Sequence, residues 1–229
     1  MKLDERKMFG KLTILQPLGV TRRYPKKSTI VFQGEIPKSV YVIKSGIIKV
    51  YGITNEGDQR TVTILCAGDS FPTSWIFGKT DFCIYYYEAT TDCTILAVKR
   101  EDFLNALEKN LDLKNQVLEN YTSHYIASTM HVFALEHSYA RDKLIYILQY
   151  LTTRFGMKQP NGKTQVILRL SHQDIAEMVG ITRETAAIEL HKLKQKGYID
   201  YQKFTYFVDV HRLQQLKGDE NIELTIWVQ

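Results

Sequence analysis

Hydrophobic positions change their period along this chain, and each change predicts a different kind of element. From Tyr24 to Val98, short β-branched and aromatic runs alternate with turn signals: Tyr24-Pro25-Lys26-Lys27, Gly34-Glu35, Lys44-Ser45-Gly46 and Asn55-Glu56-Gly57-Asp58. Signals recurring roughly every ten residues predict an antiparallel sandwich or roll. A helical pattern resumes near Lys99 to Leu107, and Leu111 to Tyr139 then contains neither Pro nor Gly. Within it Leu111, Leu118, Tyr121, Tyr125, Ser128, Val132 and Leu135 fall in three-four alternation apart from a polar Lys114, the seam of a coiled coil. Ile126, Met130 and Phe133 lie off the seam, so the helix is expected also to pack on its own β-roll. Ahead of the roll, Met1 to Pro17 reads as a polar lead whose Leu12, Ile14 and Leu15 are packing residues.

After His137-Ser138-Tyr139, Arg141 opens an amphipathic helix through Leu144, Ile147, Leu148 and Leu151. Gly156, Pro160 and Gly162 mark Arg154 to Thr164 as a loop. Ser171 with Asp174 three residues on forms a capping box, and Ile175, Ala176 and Val179 give the helix behind it an apolar stripe. Gly180 suits the left-handed position that ends such a helix. Thr182 can cap a second helix with Ala186, Leu190 and Leu193 inward, and Gly197 ends it. Tyr198 to Val210 reads as a two-stranded hairpin with Gln202 and Lys203 at its tip, and Ile222 to Val228 as a short strand. The chain is therefore expected to be α+β: an N-terminal antiparallel β-roll (1–110), a long helix with a hinge (111–138) and a C-terminal winged helix-turn-helix (139–229).

That second helix leads with Arg183, Glu184, Thr185 and Ile188. A helix of this kind fits the major groove, where Arg bonds guanine bidentately, Glu accepts from a cytosine amine and Ile meets a thymine methyl. The competing reading is a protein-contact surface on which Arg183 and Glu184 merely pair. Charge adds little: residues 139–229 hold 13 basic against 10 acidic side chains and residues 1–138 hold 17 against 15, so neither part is strongly basic. Locally, Arg183, Lys192, Lys194, Lys196 and Lys203 cluster around the helix-turn-helix and wing, suited to phosphates, although lysines also complement a helix C-terminus. Cys66, Cys83 and Cys93 are too few and scattered for a disulfide framework or zinc site and read as small core residues. No apolar run approaches the roughly 18 residues needed to span a bilayer, and the start MKLDERKMFG lacks a signal-peptide core, so a cytoplasmic protein without membrane contact is expected. With no nucleophile elbow, Walker loop or metal spacing, no enzyme and no metal site are expected.

The run TRETAAIELHKLKQKGYI resembles the recognition helix of the CRP/FNR family of bacterial transcription regulators. Far upstream, Tyr24 to Phe71 resembles that family's cyclic-nucleotide-binding-like β-roll, with Gln33-Gly34-Glu35, the Ser45-Gly46 turn and the Gly68-Asp69 pair. The resemblance implies a homodimer that joins through Leu118, Tyr121, Tyr125, Ser128, Val132 and Leu135 and reads palindromic double-stranded DNA. It implies RNA polymerase as a further partner if the protein is an activator. By residue matching it gives base reading to Arg183 and Glu184, with Ile188 standing where the family has a second Arg. The phosphate contacts fall to Ser171, Gln173, Thr182, Thr185 and Lys203.

For the effector pocket the resemblance points to Phe71, Pro72, Thr73, Trp75, Cys83, Ile84, Tyr85, Ile126 and Ala127. Pro72 and Thr73 replace the family's Gly-Glu, and Cys83 and Ile84 replace the Arg-Ser that neutralises a cyclic phosphate. A buried phosphate without a cation is costly, so cAMP is not expected to bind in the family manner. Two readings stay open: a pocket for an apolar, aromatic or haem-like effector, or one filled by its own side chains in a constitutive regulator. A signal-binding module without DNA contact is the third. Haem ligation through His124 or His131, seven apart on the long helix, is the lesser option, since such histidines are more often polar surface. The family's oxygen sensors hold an iron–sulfur centre on N-terminal cysteines; no cysteine precedes Cys66 here, so that cofactor is not expected.

Overall fold

Burial of one strand on both faces organises the N-terminal half of the computed structural model, which describes residues 10–216. A 3-10 helix (Gly10–Leu18) leads into β1 (Gly19–Tyr24), β2 (Thr29–Val31), β3 (Val40–Ser45), β4 (Ile48–Ile53), β5 (Gln59–Leu65) and β6 (Ser70–Phe71). The short α1 (Thr73–Ile76), β7 (Tyr86–Ala89), β8 (Cys93–Val98) and α2 (Arg100–Lys109) follow. One antiparallel sheet runs β1-β8-β3-β6 and the other β2-β7-β4-β5. Side chains alternate across β3, so Tyr41 and Ile43 join Val31, Val50, Phe71, Tyr87 and Ile95 between the sheets. Val40 and Val42 join Leu12, Leu15, Phe103, Leu107, Leu113 and Val117 on the other side. Two cores thus share one strand, which is why β3 reads as an unbroken apolar run. Leu12 and Leu15 pack as expected, whereas Ile14 is exposed.

Turns between strands are set by backbone need. Gly46 has φ +98°, and a Cβ there would fall 2.6 Å from both the Asp92 carbonyl oxygen and Cys93 Sγ. Only glycine tolerates that approach.

The long helix α3 (Leu111–Glu136) ends slightly earlier than the expected Tyr139. The chain divides within this helix into two compact units, Met1–Tyr125 and Ile126–Gln229. In the second unit α4 (Ala140–Phe155) is followed by β9 (Gly156–Lys158), β10 (Thr164–Val166), α5 (His172–Val179), α6 (Arg183–Gln195), β11 (Ile199–Gln202), β12 (Thr205–Val208) and α7 (Val210–Gln215). Arg154 to Thr164, expected as a loop, is in part a hairpin: Gly156 to Lys158 pairs with Thr164 to Val166. Glycine and proline suggested irregular chain there, yet Gly156 takes an extended conformation at a point where a Cβ would collide with the Thr152 carbonyl. This hairpin joins the wing in a sheet ordered β11-β12-β10-β9. The expected strand at 222–228 lies outside the described residues.

Candidate nucleic-acid interface and the β-roll interior

Local chemistry dictates the helix-turn-helix. Ser171 Oγ accepts from the Asp174 amide at 3.1 Å while the Ser171 amide donates to Asp174 Oδ2 at 2.7 Å, closing the capping box. Gly180 takes φ +67° and ψ +39° at the C-terminus of α5. Two residues later Thr182 Oγ1 accepts from the Thr185 amide at 3.1 Å and starts α6. Ile175, Ala176, Val179, Ala186 and Leu190 are all fully buried, which orients the two helices. The opposite edge of α6 presents Arg183, Glu184 and Ile188 to solvent, with Thr185 half-buried behind them. Among the described residues no ion pair joins Arg183 to Glu184.

Around this edge the charges divide. Lys192 pairs with Glu189 at 2.6 Å, and Lys194 pairs with Asp200 at 2.8 Å, which raises the lysine's pKa and lowers the aspartate's. Arg183, Lys196 and Lys203 are exposed. His172 sits edge-on to Tyr201, and its pKa is lowered, first by burial and then by the Arg183 charge. Gln173 is exposed and donates to Glu177 at 3.0 Å. At the wing tip Lys203 and Phe204 both have positive φ, +46° and +71°. Sequence reasoning placed Lys203 there but missed Phe204, which is solvent-exposed.

In the β-roll, aromatic rings occupy the space between the sheets. Tyr41 stacks on Phe71 at 5.3 Å between centroids, and Phe71 stacks on Tyr87 at 4.8 Å. Cys83 lies fully buried beside them; desolvation first and the Glu35 charge second push its thiol up to about 12. Burial likewise raises the Tyr87 and Tyr41 hydroxyls. Each shift has the same leading cause, the loss of water from an anion at this place, and the Arg22 charge opposes it at Tyr41.

The sequence model of the Cyclic nucleotide-binding domain family matches residues 21–110, and that of the Crp-like helix-turn-helix domain matches residues 142–217. The chain belongs to the CRP/FNR family of transcription regulators. It is 29% identical over 213 residues to the global nitrogen regulator of Synechococcus elongatus, covering 89% of this chain and 96% of that one. It is 26% identical over 179 residues to the cyclic AMP receptor protein of Thermus thermophilus, covering 78% of each. Among solved structures, a CooA variant from Carboxydothermus hydrogenoformans matches with TM-score 0.75 and 24% identity over 88% of this chain and 89% of that one. FixK2 from Bradyrhizobium japonicum matches with TM-score 0.70 and 20% identity over 86% and 96%. This CRP/FNR-family protein is therefore a DNA-binding transcription regulator and not an enzyme. No helix among its described residues is long and apolar enough to cross a membrane.

Within this CRP/FNR-family regulator the seven expected pocket residues of the first unit do not share one site. Phe71 and Cys83 are part of the core between the sheets, and Tyr85 packs against it. Trp75 instead packs on the helical side of β3, under the Arg100 guanidinium at 5.4 Å from its ring. Pro72 is buried and precedes α1, whereas Thr73 and Ile84 are exposed. Ile126 and Ala127 belong to the second unit, where Ala127 is buried.

The helix histidines are engaged as well. His124 Nε2 lies 2.8 Å from Asp69 Oδ1, and His131 Nε2 lies 2.5 Å from the Met178 carbonyl oxygen while its ring stacks on Tyr150. Haem ligation by either would require breaking these contacts. Among the described residues no cluster of His, Cys, Asp and Glu could hold a metal ion.

One seam residue needs correcting. Tyr121 faces its own β-roll: its hydroxyl meets Ser70 Oγ at 2.8 Å, its ring meets Phe77 edge-on, and burial pushes its pKa up to about 12. Three-four alternation places Tyr121 equally well on either face, and the hydroxyl's partner decides. The other seam positions stay open: Leu118 is 62% exposed, Tyr125 71% and Val132 56%, with Ser128 and Leu135 exposed beside them.

Proposed function

We propose that this regulator binds a palindromic DNA site as a homodimer, inserting the leading edge of α6 into the major groove of each half-site. Arg183, Glu184, Thr185 and Ile188 read bases. Ser171, Gln173, Thr182 and Lys203 contact phosphates, the first and third in addition to their capping bonds. One observation carries this reading: a correctly capped helix-turn-helix that leaves Arg183 and Glu184 exposed and unpaired with each other. The dimer forms through α3, because Leu118, Tyr125 and Val132 repeat every seven residues and stand exposed. Parallel helices there set the two reading edges about one DNA turn apart, roughly 34 Å. Residues 1–110 serve as the sensing domain, 111–138 as dimer helix and hinge, and 139–229 as the DNA-binding domain. The protein works in the cytoplasm, and as an activator it would contact RNA polymerase.

Of the effector readings, the stacked rings of Tyr41, Phe71 and Tyr87 favour a roll filled by its own side chains. Cyclic nucleotide then has no place in it, and DNA binding is constitutive with respect to cAMP.

Filter binding to a duplex pool at two salt concentrations tests the DNA reading, since Lys and Arg on phosphates impose a steep salt slope. Light scattering of Leu118→Glu tests the dimer. The expected result is a monomer that loses tight palindrome binding; a Leu118→Glu dimer with wild-type affinity defeats the seam assignment.

A further inference from the structure

We propose that Phe204, at the tip of the wing, is a DNA-contacting residue that adds affinity and shape selectivity next to each half-site. The inference rests on the α6 reading above and extends it to a residue that neither periodicity nor spacing indicated. The wing is a two-residue hairpin: Gln202 pairs with Thr205 across the turn, and Lys203 and Phe204 form the loop. Such turns require positive φ at both central positions and are normally built from Asn and Gly, which bear that conformation cheaply. Here Lys203 and Phe204 adopt it, and in a bulky residue that backbone is an outlier. The strained tip is held from outside: the Leu170 amide donates to the Phe204 carbonyl at 2.9 Å, and Arg169 Nη2 to the Lys203 carbonyl at 3.4 Å.

The ring leaves more than half of its surface in water. Phe204 is 54% exposed, and no aromatic partner is found for it among the described residues. A side chain that strains the backbone and leaves its apolar surface in water is poorly explained by stability alone. Its neighbours indicate what covers it. Lys203 adjoins it in the turn, and Arg169 donates to the Lys203 carbonyl; both are exposed. The same wing belongs to the sheet packed with the helix-turn-helix, so the tip continues the interface of α6. Two exposed cations next to an exposed apolar ring match nucleic acid, with phosphates for the cations and the sugar faces and base edges of a minor groove for the ring. Apolar side chains placed there favour flexible pyrimidine–purine steps, which open at low cost. Phe204 is thereby assigned to shape readout and Lys203 to phosphate.

Phe204→Gly separates the two roles, because it removes the ring and the backbone strain together. The test compares wild type, Phe204→Gly and Lys203→Ala on the same selected duplex, with TA or GG at the step flanking the half-site. Phe204→Gly is expected to melt about 2 °C or more higher, since glycine relieves the strain. It should bind TA-flanked DNA roughly tenfold more weakly, lose the TA-over-GG preference and keep the wild-type salt slope. Lys203→Ala should keep the preference and lower the salt slope by about 1. Equal affinity and preference in wild type and Phe204→Gly overturns the proposal, as does a loss of affinity through the salt slope alone. Should wild type bind no duplex, the α6 reading itself has failed, a result distinct from either outcome.

Discussion

His124 Nε2 on α3 lies 2.8 Å from Oδ1 of Asp69, a carboxylate only 6% exposed in the turn before β6. The other carboxylate oxygen, Oδ2, accepts from the Cys66 amide at 2.8 Å. Beside this pair Asn120 Nδ2 donates to the Gly68 carbonyl, and Tyr121 meets Ser70. Three consecutive residues, Gly68, Asp69 and Ser70, are thus held by three side chains of α3. Removing the carboxylate strands a buried amide and the imidazole together. Asp69→Ala should cost about 2–4 kcal/mol in urea unfolding, whereas His124→Gln, which leaves the turn bond intact, should cost about 1 kcal/mol. Equal costs would show that the carboxylate acts through the helix alone.

The filled roll makes a paired prediction. Phe71, stacked between Tyr41 and Tyr87, is 1% exposed, and Phe71→Ala should destabilise the first unit by about 3–5 kcal/mol. Wild type warmed with cAMP at about 1 mM should melt at its unliganded temperature, because ligand stabilisation requires binding to the folded state. A saturable upward shift with cAMP would sink the self-filled reading.

Base reading by α6 is checked by selection. Arg183→Ala should lose about 1–3 kcal/mol of binding and relax preference at one base pair per half-site. Retention of the wild-type preference by this variant removes Arg183 from the reading edge.

The third relationship depends on pH. His172 is pressed below its ordinary pKa by burial and by the Arg183 charge. Unfolded chains titrate their histidines near pH 6.5, so below that value the unfolded state binds more protons than the folded one. Stability of the second unit should therefore fall as the solution is acidified from about pH 7 toward pH 5, and remain flat in this respect above pH 7. His172→Gln should flatten that part of the profile, measured by urea unfolding at each pH. An unchanged profile would assign the acid sensitivity elsewhere.

Legibility followed how local each determinant was. Ser171, Asp174, Gly180 and Thr182 act within a few residues of their partners, so the helix-turn-helix could be read from spacing and was found in place. Tyr121 could not be placed, because its alternation suits both faces of α3 and only the distant Ser70 hydroxyl distinguishes them. The hairpin of Gly156 to Val166 was hidden by the residues that usually announce loops. The effector residues were matched by position to the family's effector-binding roll. Here Phe71 and Cys83 are part of a packed core and Trp75 lies across the sheet from them, an outcome set by ring packing between residues distant in sequence, as between Tyr41, Phe71 and Tyr87. Phe204 was missed because exposed aromatics carry no periodic signature.

β3 stands as a party wall between two rooms. Tyr41 and Ile43 furnish one, while Val40 and Val42 brace the other against α2 and the start of α3. A guest large enough to dislodge Phe71 would have to lean on that wall and disturb the helices behind it. Whatever opens the roll is felt at once at the root of α3, with no intervening messenger.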